Sequence, residues 1–157
     1  MKNFYALNAG EFFVADEIGR KRRDLVLYLP LKDVGADFLA VSKTGRRARI
    51  QVKESRVYRR GAKEIAWHEV AAKKIHKADV FVFVSYVEKP KGRRLAFGKE
   101  FAVIPSRDFA RLCARKKCSS GKYRFNFQHE GDRLFDMRDG KRDLSRFRQA
   151  WDLIAGA

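Results

Sequence analysis

Three polar residues stand beside two short apolar segments in the first third of the chain. Asp37 directly precedes the apolar residues 38–41. Gln51 and Lys53 lie on either side of Val52 in the second segment. Carboxylate and amide oxygens are suitable ligands for a hard divalent cation, and a neighbouring lysine stabilises a developing negative charge. Side chains of these types, if the fold brings them together, suit the hydrolysis of a phosphodiester bond.

A β-hairpin is expected to bring these side chains together. The strand-like segments 36–41 and 49–53 are separated by a turn sequence that ends in Gly45, which can take the positive φ of a tight connection. Because side chains alternate between the faces of a strand, Gln51 and Lys53 share a face. Pairing of the strands therefore brings a carboxylate, an amide and an ammonium group to one end of a small sheet.

A fourth candidate, Glu11, lies in a predicted helix near the start of the chain. Asn8 and Glu11 have the spacing of a capping box, and apolar residues from 12 to 18 supply a helical stripe that ends near Gly19. Two roles are open for Glu11. It caps the helix, or it directs its carboxylate toward the packed face that it shares with Ala15 and Ile18.

The order of these residues resembles the signature of the PD-(D/E)xK nuclease superfamily. Asp37 is followed by Gln51-Val52-Lys53, and Glu11 matches the helix-borne acid that often precedes them. Small members similar to Holliday junction resolvases and to homing endonucleases are the nearest, and the likeness covers about residues 5–105. The chain departs from the signature at Gln51, where an acid is commoner, and at Ala36, where the proline is missing.

The resemblance implies a fold, a cofactor and an activity. The fold is a restriction-endonuclease-like α/β domain with an αβββαβ core, in which helices flank a central mixed β-sheet. The activity is metal-dependent endonucleolytic cleavage of DNA, and the assembly is a homodimer or a higher homo-oligomer. Mg²⁺, or Mn²⁺ in its place, would be bound by Glu11, Asp37, the Gln51 amide oxygen and the Val52 carbonyl. The implied catalytic residues are Glu11, Asp37, Gln51 and Lys53, with Lys53 beside the attacking water.

Composition is consistent with a folded protein that binds a polyanion. The 157 residues are 45% hydrophobic, which is enough for one domain, with the core at about 5–105 and an extension at 106–157. A formal net charge of +17 favours nucleic acid as the partner. The basic residues expected to hold DNA phosphates are Arg20, Lys21, Arg22, Arg23, Arg46, Arg47, Arg56, Arg59 and Arg60.

The sequence shows no pattern typical of export or of a membrane span. The N-terminus has no apolar region typical of a signal peptide, and no window approaches about 18 uninterrupted apolar residues. Cys113 and Cys118 lack the spacing of a zinc finger, which favours reduced thiols. We therefore expect a cytoplasmic protein that does not contact membranes.

The remaining apolar patterns predict further elements. Strands are predicted at 25–29, 80–86, 95–104 and 123–127, and helices at 67–75, 106–113 and 143–154. A basic turn is predicted at 56–63, and Trp67 is interpreted as a packing residue rather than a base-stacking one. The aromatic residues of 123–127 are likewise assigned to the core.

Two other functions are compatible with the same residues. The first is a nucleic-acid-binding module on the same fold that has lost catalysis, with Gln51 as the trace of that loss. The second is a basic structural protein in which Asp37 and Lys53 form a plain ion pair. Removal of Asp37 would then lower stability without a specific loss of metal binding.

Overall fold

A computed structural model describes residues 7–30, 35–60, 63–91 and 94–154, and only the backbone of 56–60, 63–65, 88–91 and 94–97. The helices are α1 (Ala9–Lys21) and α2 (Ser106–Ala114), with short 3₁₀ turns η1 (Ala72–Lys74), η2 (Ser145–Phe147) and η3 (Trp151–Ile154). The strands are β1 (Leu25–Tyr28), β2 (Phe38–Ser42), β3 (Arg47–Glu54), β4 (Arg56–Arg60), β5 (Lys63–Ala71), β6 (Val80–Lys91), β7 (Arg94–Pro105), β8 (Lys122–Glu130), β9 (Arg133–Asp136) and β10 (Arg142–Asp143).

The first sheet is mixed and carries the predicted hairpin. Its strand order is β1-β2-β3-β6-β7, in which β3 and β6 are parallel and the other pairs are antiparallel. Helix α1 covers one face through Val14 and Ile18, which pack with Ile50 and other buried residues of the central strands. The predicted α/β class with a mixed sheet, and the hairpin of β2 and β3, are confirmed.

The second sheet is antiparallel and covers the opposite face of the first. Its order is β10-β9-β8-β5-β4. Strand β6 lies between the two cores because Val80 and Val82 face α1, whereas Phe81 and Phe83 face the second sheet with Phe125. A strand buried on both faces needs a continuous apolar sequence, and residues 80–84 provide one. The strand predicted at 80–86 is confirmed as part of β6.

The helix predicted at 67–75 is wrong, and so is the basic turn at 56–63. The chain instead forms β4 and β5, followed by η1. Ala66, His68 and Val70 alternate along β5 and face the interior, where each is at most 4% exposed. This two-residue period is that of a strand. Strands β4 and β5 therefore occupy the place of the second helix in the predicted αβββαβ order.

Trp67 lies on the outer face of the second sheet, opposite the buried face. The guanidinium groups of Arg124 and Arg138 approach its ring to 5.9 and 5.4 Å from the centroid. Because these contacts are between side chains at the surface of the sheet, Trp67 packs against cations rather than within either apolar core.

The helix predicted at 143–154 is also wrong. Two 3₁₀ turns, η2 and η3, take its place, and between them Gln149 has a φ of +52°, which an α-helix cannot accommodate. The apolar residues of the pattern are nevertheless buried, with Phe147 and Trp151 at 3% and 4% exposure. The pattern identified the buried residues correctly but not the backbone that carries them.

The remaining predicted elements agree with the structure within a few residues. Strands at 25–29, 95–104 and 123–127 correspond to β1, β7 and β8, and the helix at 106–113 corresponds to α2. Phe125 and Phe127 are fully buried, as predicted. Among the residues described, no helix has the length and apolar character needed to cross a membrane.

An ion pair and a histidine are buried inside the protein. Lys116 and Asp136 form an ion pair with 2.6 Å between Nζ and Oδ2, and both side chains are fully buried. His68 lies between the sheets, where its Nε2 is 3.2 Å from the Ser85 hydroxyl. Burial, and secondarily the neighbouring His129, lower the pKa of His68 to about 3.

Candidate active site

A glycine turn places Asp37 at the start of β2. Gly35 has a φ of +83°, and a Cβ atom there would lie 2.7 Å from Cδ of Lys77, so only glycine fits. Two residues later, the Asp37 amide donates to the Ile50 carbonyl at 2.8 Å. This bond continues the ladder of β2 and β3 by one residue and fixes the register of Asp37.

The Asp37 carboxylate, the Gln51 amide and the backbone of Val52 meet at this end of the hairpin. Oδ2 of Asp37 accepts hydrogen bonds from the Val52 amide, at 2.8 Å, and from Nε2 of Gln51. The same Nε2 lies 3.3 Å from the Val52 carbonyl oxygen. Gln51 is only 4% exposed, whereas Asp37 is partly buried at the end of the sheet. The structure therefore brings together three of the predicted metal ligands.

Glu11 caps α1 and is also buried. Its backbone amide donates to the Asn8 side chain at 2.8 Å, and its carboxylate accepts from the Asn8 amide at 3.2 Å, which completes the predicted capping box. The side chain is 3% exposed. Gly10 brings this first turn against the end of β3, because a Cβ atom on Gly10 would lie 3.1 Å from Cβ of Glu54. Glu11 thus belongs to the same end of the first sheet as the β3 residues.

Lys53 follows Val52 on β3 and is partly buried. It is two residues beyond Gln51, so both project from the same face of the strand. In the parallel ladder, Gln51 is in register with Phe81 and Lys53 with Phe83. This face of the sheet is the one turned away from α1, and the second sheet covers it at β6.

Glu54 and Tyr86 form a pair beside the site that the sequence prediction missed. The Tyr86 hydroxyl donates to Oε1 of Glu54, and the Tyr86 amide donates to the Ser55 hydroxyl at 3.2 Å. Burial, followed by the bond to Glu54, raises the pKa of Tyr86. The only sequence signal is that Glu54 directly follows Lys53, because Tyr86 is distant along the chain.

Six of the nine basic residues predicted to hold phosphates lie at the other end of the hairpin. The Lys43 amide donates to the Asp24 carbonyl at 3.1 Å, which joins the β2–β3 turn to the segment after α1. Asp37 is five residues from Ser42, or about 17 Å along an extended strand. The predicted residues at this far end are Arg20, Lys21, Arg22, Arg23, Arg46 and Arg47.

The arginines at this end differ in their accessibility. Arg46 and Arg47 are exposed. Arg22 is bound internally, since its guanidinium contacts both Asp24 oxygens at 2.8 and 2.9 Å and the Trp151 carbonyl at 2.7 Å. The prediction that these residues directly flank the site is therefore replaced by a separate basic cluster. Strand β4 contains Arg56, Arg59 and Arg60, whose side chains lie outside the described part of the structure.

The oxygen donors of the site suit a hard cation better than a soft one. The described residues contain no cluster of three His, Cys, Asp or Glu side chains that could hold a metal ion. The donors that meet at the hairpin end are instead a carboxylate, a side-chain amide and a main-chain carbonyl. Mg²⁺ binds such oxygen ligands and completes its shell with waters, so these residues fit its chemistry.

The fold has a counterpart among solved structures. No protein-family model and no curated protein sequence matches the chain. The structure of a bacterial homing endonuclease, I-Ssp6803I, is similar with a TM-score of 0.55, over 94% of this chain and 88% of that chain, at 18% sequence identity. This likeness shows that the two proteins share a fold.

Proposed function

We propose that this protein is a divalent-metal-dependent endonuclease that hydrolyses phosphodiester bonds of DNA. The proposal rests on the contact of the Asp37 carboxylate with the Gln51 amide and the Val52 backbone. Gln51 and Val52 lie on β3, the strand that also contains Lys53. Polar groups of these types gathered at the end of a sheet, within a strongly basic chain, suit a phosphate substrate.

Asp37, Gln51 and Val52 are the residues that would hold the cation, and Glu11 is the candidate for a further carboxylate on α1. When bound, Mg²⁺ neutralises the scissile phosphate and activates a water molecule. Mn²⁺ has similar ligand preferences and is expected to substitute. The Val52 amide holds one oxygen of the Asp37 carboxylate at 2.8 Å, which fixes the orientation of this group at the end of the sheet.

The Gln51 amide has two orientations with different uses. As described, Nε2 donates to Asp37 and lies 3.3 Å from the Val52 carbonyl, so the amide satisfies both oxygens. Rotation by half a turn about the last side-chain torsion exchanges Nε2 and Oε1. Oε1 of Gln51 then lies beside Oδ2 of Asp37 and the Val52 carbonyl oxygen, and Gln51 changes from a hydrogen-bond donor to a metal ligand.

Lys53 supplies positive charge on the same face of β3. Lysine is protonated at neutral pH, and an ammonium group near the reacting phosphate stabilises the additional negative charge of the transition state. Its place on a central strand, in register with the buried Phe83, holds the base of the side chain rigidly. We therefore assign Lys53 an electrostatic role.

DNA is the proposed substrate for two reasons. The net charge of +17 attracts a polyanion, and exposed arginines such as Arg46 and Arg47 are available to phosphates. In addition, the similar fold of I-Ssp6803I belongs to a protein whose name describes a homing endonuclease. Cutting both strands of a duplex needs two sites, so a homodimer or a higher homo-oligomer is the expected assembly.

The direct test is a cleavage assay with matched variants. Supercoiled plasmid, a four-way junction and a randomised duplex pool would be incubated with Mg²⁺, Mn²⁺ or EDTA. Asp37→Asn and Lys53→Ala should each lower the cleavage rate by about 100-fold or more, because charge stabilisation in the transition state is lost. Asp16→Asn and Lys73→Ala make the same changes at exposed positions away from the hairpin end and should leave the rate unchanged.

Measurements of DNA affinity and of folding distinguish a loss of catalysis from a loss of binding or of structure. DNA affinity measured in EDTA should stay within about threefold for Lys53→Ala, since one phosphate contact contributes little to a total spread over many contacts. Circular dichroism would confirm that each variant is folded. Cleavage by wild type that persists in Asp37→Asn would disprove the site assignment.

A nucleic-acid-binding module without catalysis is the second candidate. The observation in its favour is that the Gln51 amide already satisfies Asp37, where a second acid would demand a cation. This candidate predicts salt-dependent DNA binding by the wild type and no cleavage of any substrate with either metal. Metal-dependent cleavage of one substrate is enough to exclude it.

A further inference from the structure

Strands β6 and β7 continue far past the end of β3. The last pair between β3 and β6 is Glu54 with Val84, whereas the pairing of β6 with β7 continues to Lys91 and Arg94. The seven residues from Ser85 to Lys91 therefore have β7 as their neighbour in the first sheet and no longer have β3. At about 3.4 Å per residue, this two-stranded ribbon is about 24 Å long.

The ribbon begins at the candidate active site. Its base adjoins the register pairs of Lys53 with Phe83 and of Glu54 with Val84. Because β3 and β6 are parallel, the ribbon leaves the sheet at the end that carries Asp37 and the β3 residues of the site. A phosphate held at the site would thus have the ribbon directly beside it.

The sequence of the ribbon is basic toward its far end. Lys89 is paired with Ala96, and Lys91 with Arg94. Along β6, Lys89 and Lys91 are an even number of residues from Phe81 and Phe83, the partners of Gln51 and Lys53. In a pleated sheet, positions of one parity belong to one face, so the three basic residues occupy positions on the face that bears the candidate site.

On this face of the ribbon, strand β7 contributes small residues opposite Val87 and Lys89. Val87 pairs with Gly98, and Lys89 pairs with Ala96, so one strand of the ribbon contributes glycine and alanine at these positions. A narrow ribbon of this composition allows close approach of another molecule. Charge and dimensions together indicate which molecule that is.

We propose that the outer part of this ribbon, residues 87–91 and 94–98, which lies beyond the buried Ser85 and Glu100, enters the major groove of duplex DNA beside the cleaved phosphate and reads its sequence. The inference rests on the proposed function. The major groove of B-form DNA is about 12 Å wide and admits a two-stranded β-ribbon, and Lys and Arg recognise guanine through its O6 and N7 atoms. A-form RNA has a deep and narrow major groove that excludes such an element.

The test uses binding without cleavage. A randomised duplex pool would be selected on the wild type in EDTA, and guanine N7 protection from dimethyl sulfate would then be mapped on the selected duplexes. The variant Lys89→Ala/Lys91→Ala removes two charges from the ribbon. Lys73→Ala/Lys117→Ala removes two charges from exposed residues, one in η1 and one in the loop after α2, that are not part of the ribbon. A second ribbon variant replaces residues 89–96 with Asn-Gly, a two-residue turn that closes the pair of Glu88 with Phe97.

The expected result is a specific loss in both ribbon variants. Affinity for the selected duplex should fall by about tenfold or more relative to the control pair, which corresponds to the loss of one good base contact. N7 protection should disappear at a subset of positions, while affinity for unselected DNA falls equally in the lysine double variant and its control. Unchanged affinity and protection in both folded ribbon variants would overturn the inference, as would equal competition by duplex RNA. No binding of wild type to any duplex would overturn the proposed function as well.

Discussion

Asp37 and Asp136 are both held by backbone amides, but their surroundings differ. Asp37 accepts from the Val52 amide at 2.8 Å, and Asp136 accepts from the Asn126 amide at 3.0 Å. Asp136 is fully buried and bonded to the equally buried ammonium group of Lys116. Asp37 is partly buried at the end of a sheet, where a neutral amide and a carbonyl oxygen adjoin it.

If the proposed function holds, this difference separates a structural carboxylate, Asp136, from one that acts as a metal ligand, Asp37. An ion pair removed from water is bound tightly to its partner, and loss of either member leaves an uncompensated charge in the interior. A carboxylate at a sheet end beside a rotatable amide can exchange a hydrogen bond for an external cation. The following predictions test this contrast, beginning with the largest expected effect.

Breaking the buried ion pair should cost the most stability. Asp136→Asn leaves the Lys116 ammonium in the core, so the free energy of unfolding should fall by about 3–5 kcal/mol, as for other buried pairs broken on one side. Urea denaturation would measure the change, with the exposed Asp16→Asn as the matched control. A loss below about 1 kcal/mol would show that the remaining contacts of the Lys116 ammonium group, to Asp139 at 3.4 Å and to the Arg138 carbonyl at 3.3 Å, compensate for the lost carboxylate.

Acid should destabilise the core between the sheets through His68. Its pKa is about 3 when folded and about 6.5 when unfolded, so the unfolded chain binds more protons between these values. The contribution of the neutral imidazole is fully present above about pH 6.5 and is lost as the pH falls toward 3, by about 2–3 kcal/mol at pH 4.5. The difference in unfolding free energy between wild type and His68→Gln should show this dependence on pH.

A matched histidine controls for the other titrating groups. His76 is exposed, so His76→Gln makes the same substitution at the surface and controls for the change of side chain. A wild-type slope that His68→Gln does not reduce would contradict the assignment to the buried imidazole beside Ser85.

An acid at position 51 should increase the affinity of the Asp37 site for divalent cations and so enlarge its contrast with Asp136. Gln51→Glu places a second negative charge beside Asp37, so divalent cations should bind about tenfold more tightly, equivalent to about 1.4 kcal/mol. Calorimetric titration with Mn²⁺ or Mg²⁺ measures this directly. Without metal, the same variant should be less stable than wild type because like charges repel. Equal metal affinity in both proteins would mean that Gln51 does not face the cation.

The smallest expected effect on stability belongs to Asp37. Asp37→Asn keeps a carbonyl oxygen that can accept from the Val52 amide, so the free energy of unfolding should change by less than about 1 kcal/mol. The comparison with Asp136→Asn uses the identical chemical change. A loss as large as that at Asp136 would mark Asp37 as structural and favour the interpretation as a plain ion pair.

Local signals predicted which candidate side chains lie close together, because these side chains lie on two local motifs. Asn8 and Glu11 form a capping box within one turn, and the glycine turn at Gly45 sets the register of a hairpin that joins Asp37 to Gln51. Each motif is decided by residues a few positions apart. Glu54 and Tyr86 were missed because their contact depends on the parallel pairing of strands distant in sequence.

Long-range pairing also explains the incorrect helices. The spacing of Trp67, Val70 and Ala71 fits a helical stripe, whereas Ala66, His68 and Val70 alternate as in a strand, and pairing with β4 and β8 decides in favour of the strand. At the C-terminus, burial of Phe147 and Trp151 is served by two short turns around Gln149. The hydrophobic pattern specifies which side chains are inside, whereas the partners that cover them specify the backbone.

The interleaving of the two sheets along the chain has a consequence for folding. The parallel pair of β3 and β6 belongs to the first sheet, yet β4 and β5 of the second sheet lie between them in sequence. Strand β5 in turn awaits β8, which follows β7. The β3–β6 pair and the β5–β8 pair each close a loop that contains two strands of the other sheet, so the entropy cost of closing long loops precedes the contacts that offset it. We therefore expect slow refolding and a single cooperative transition, with fluorescence and circular dichroism changing together, and two separate transitions would contradict this.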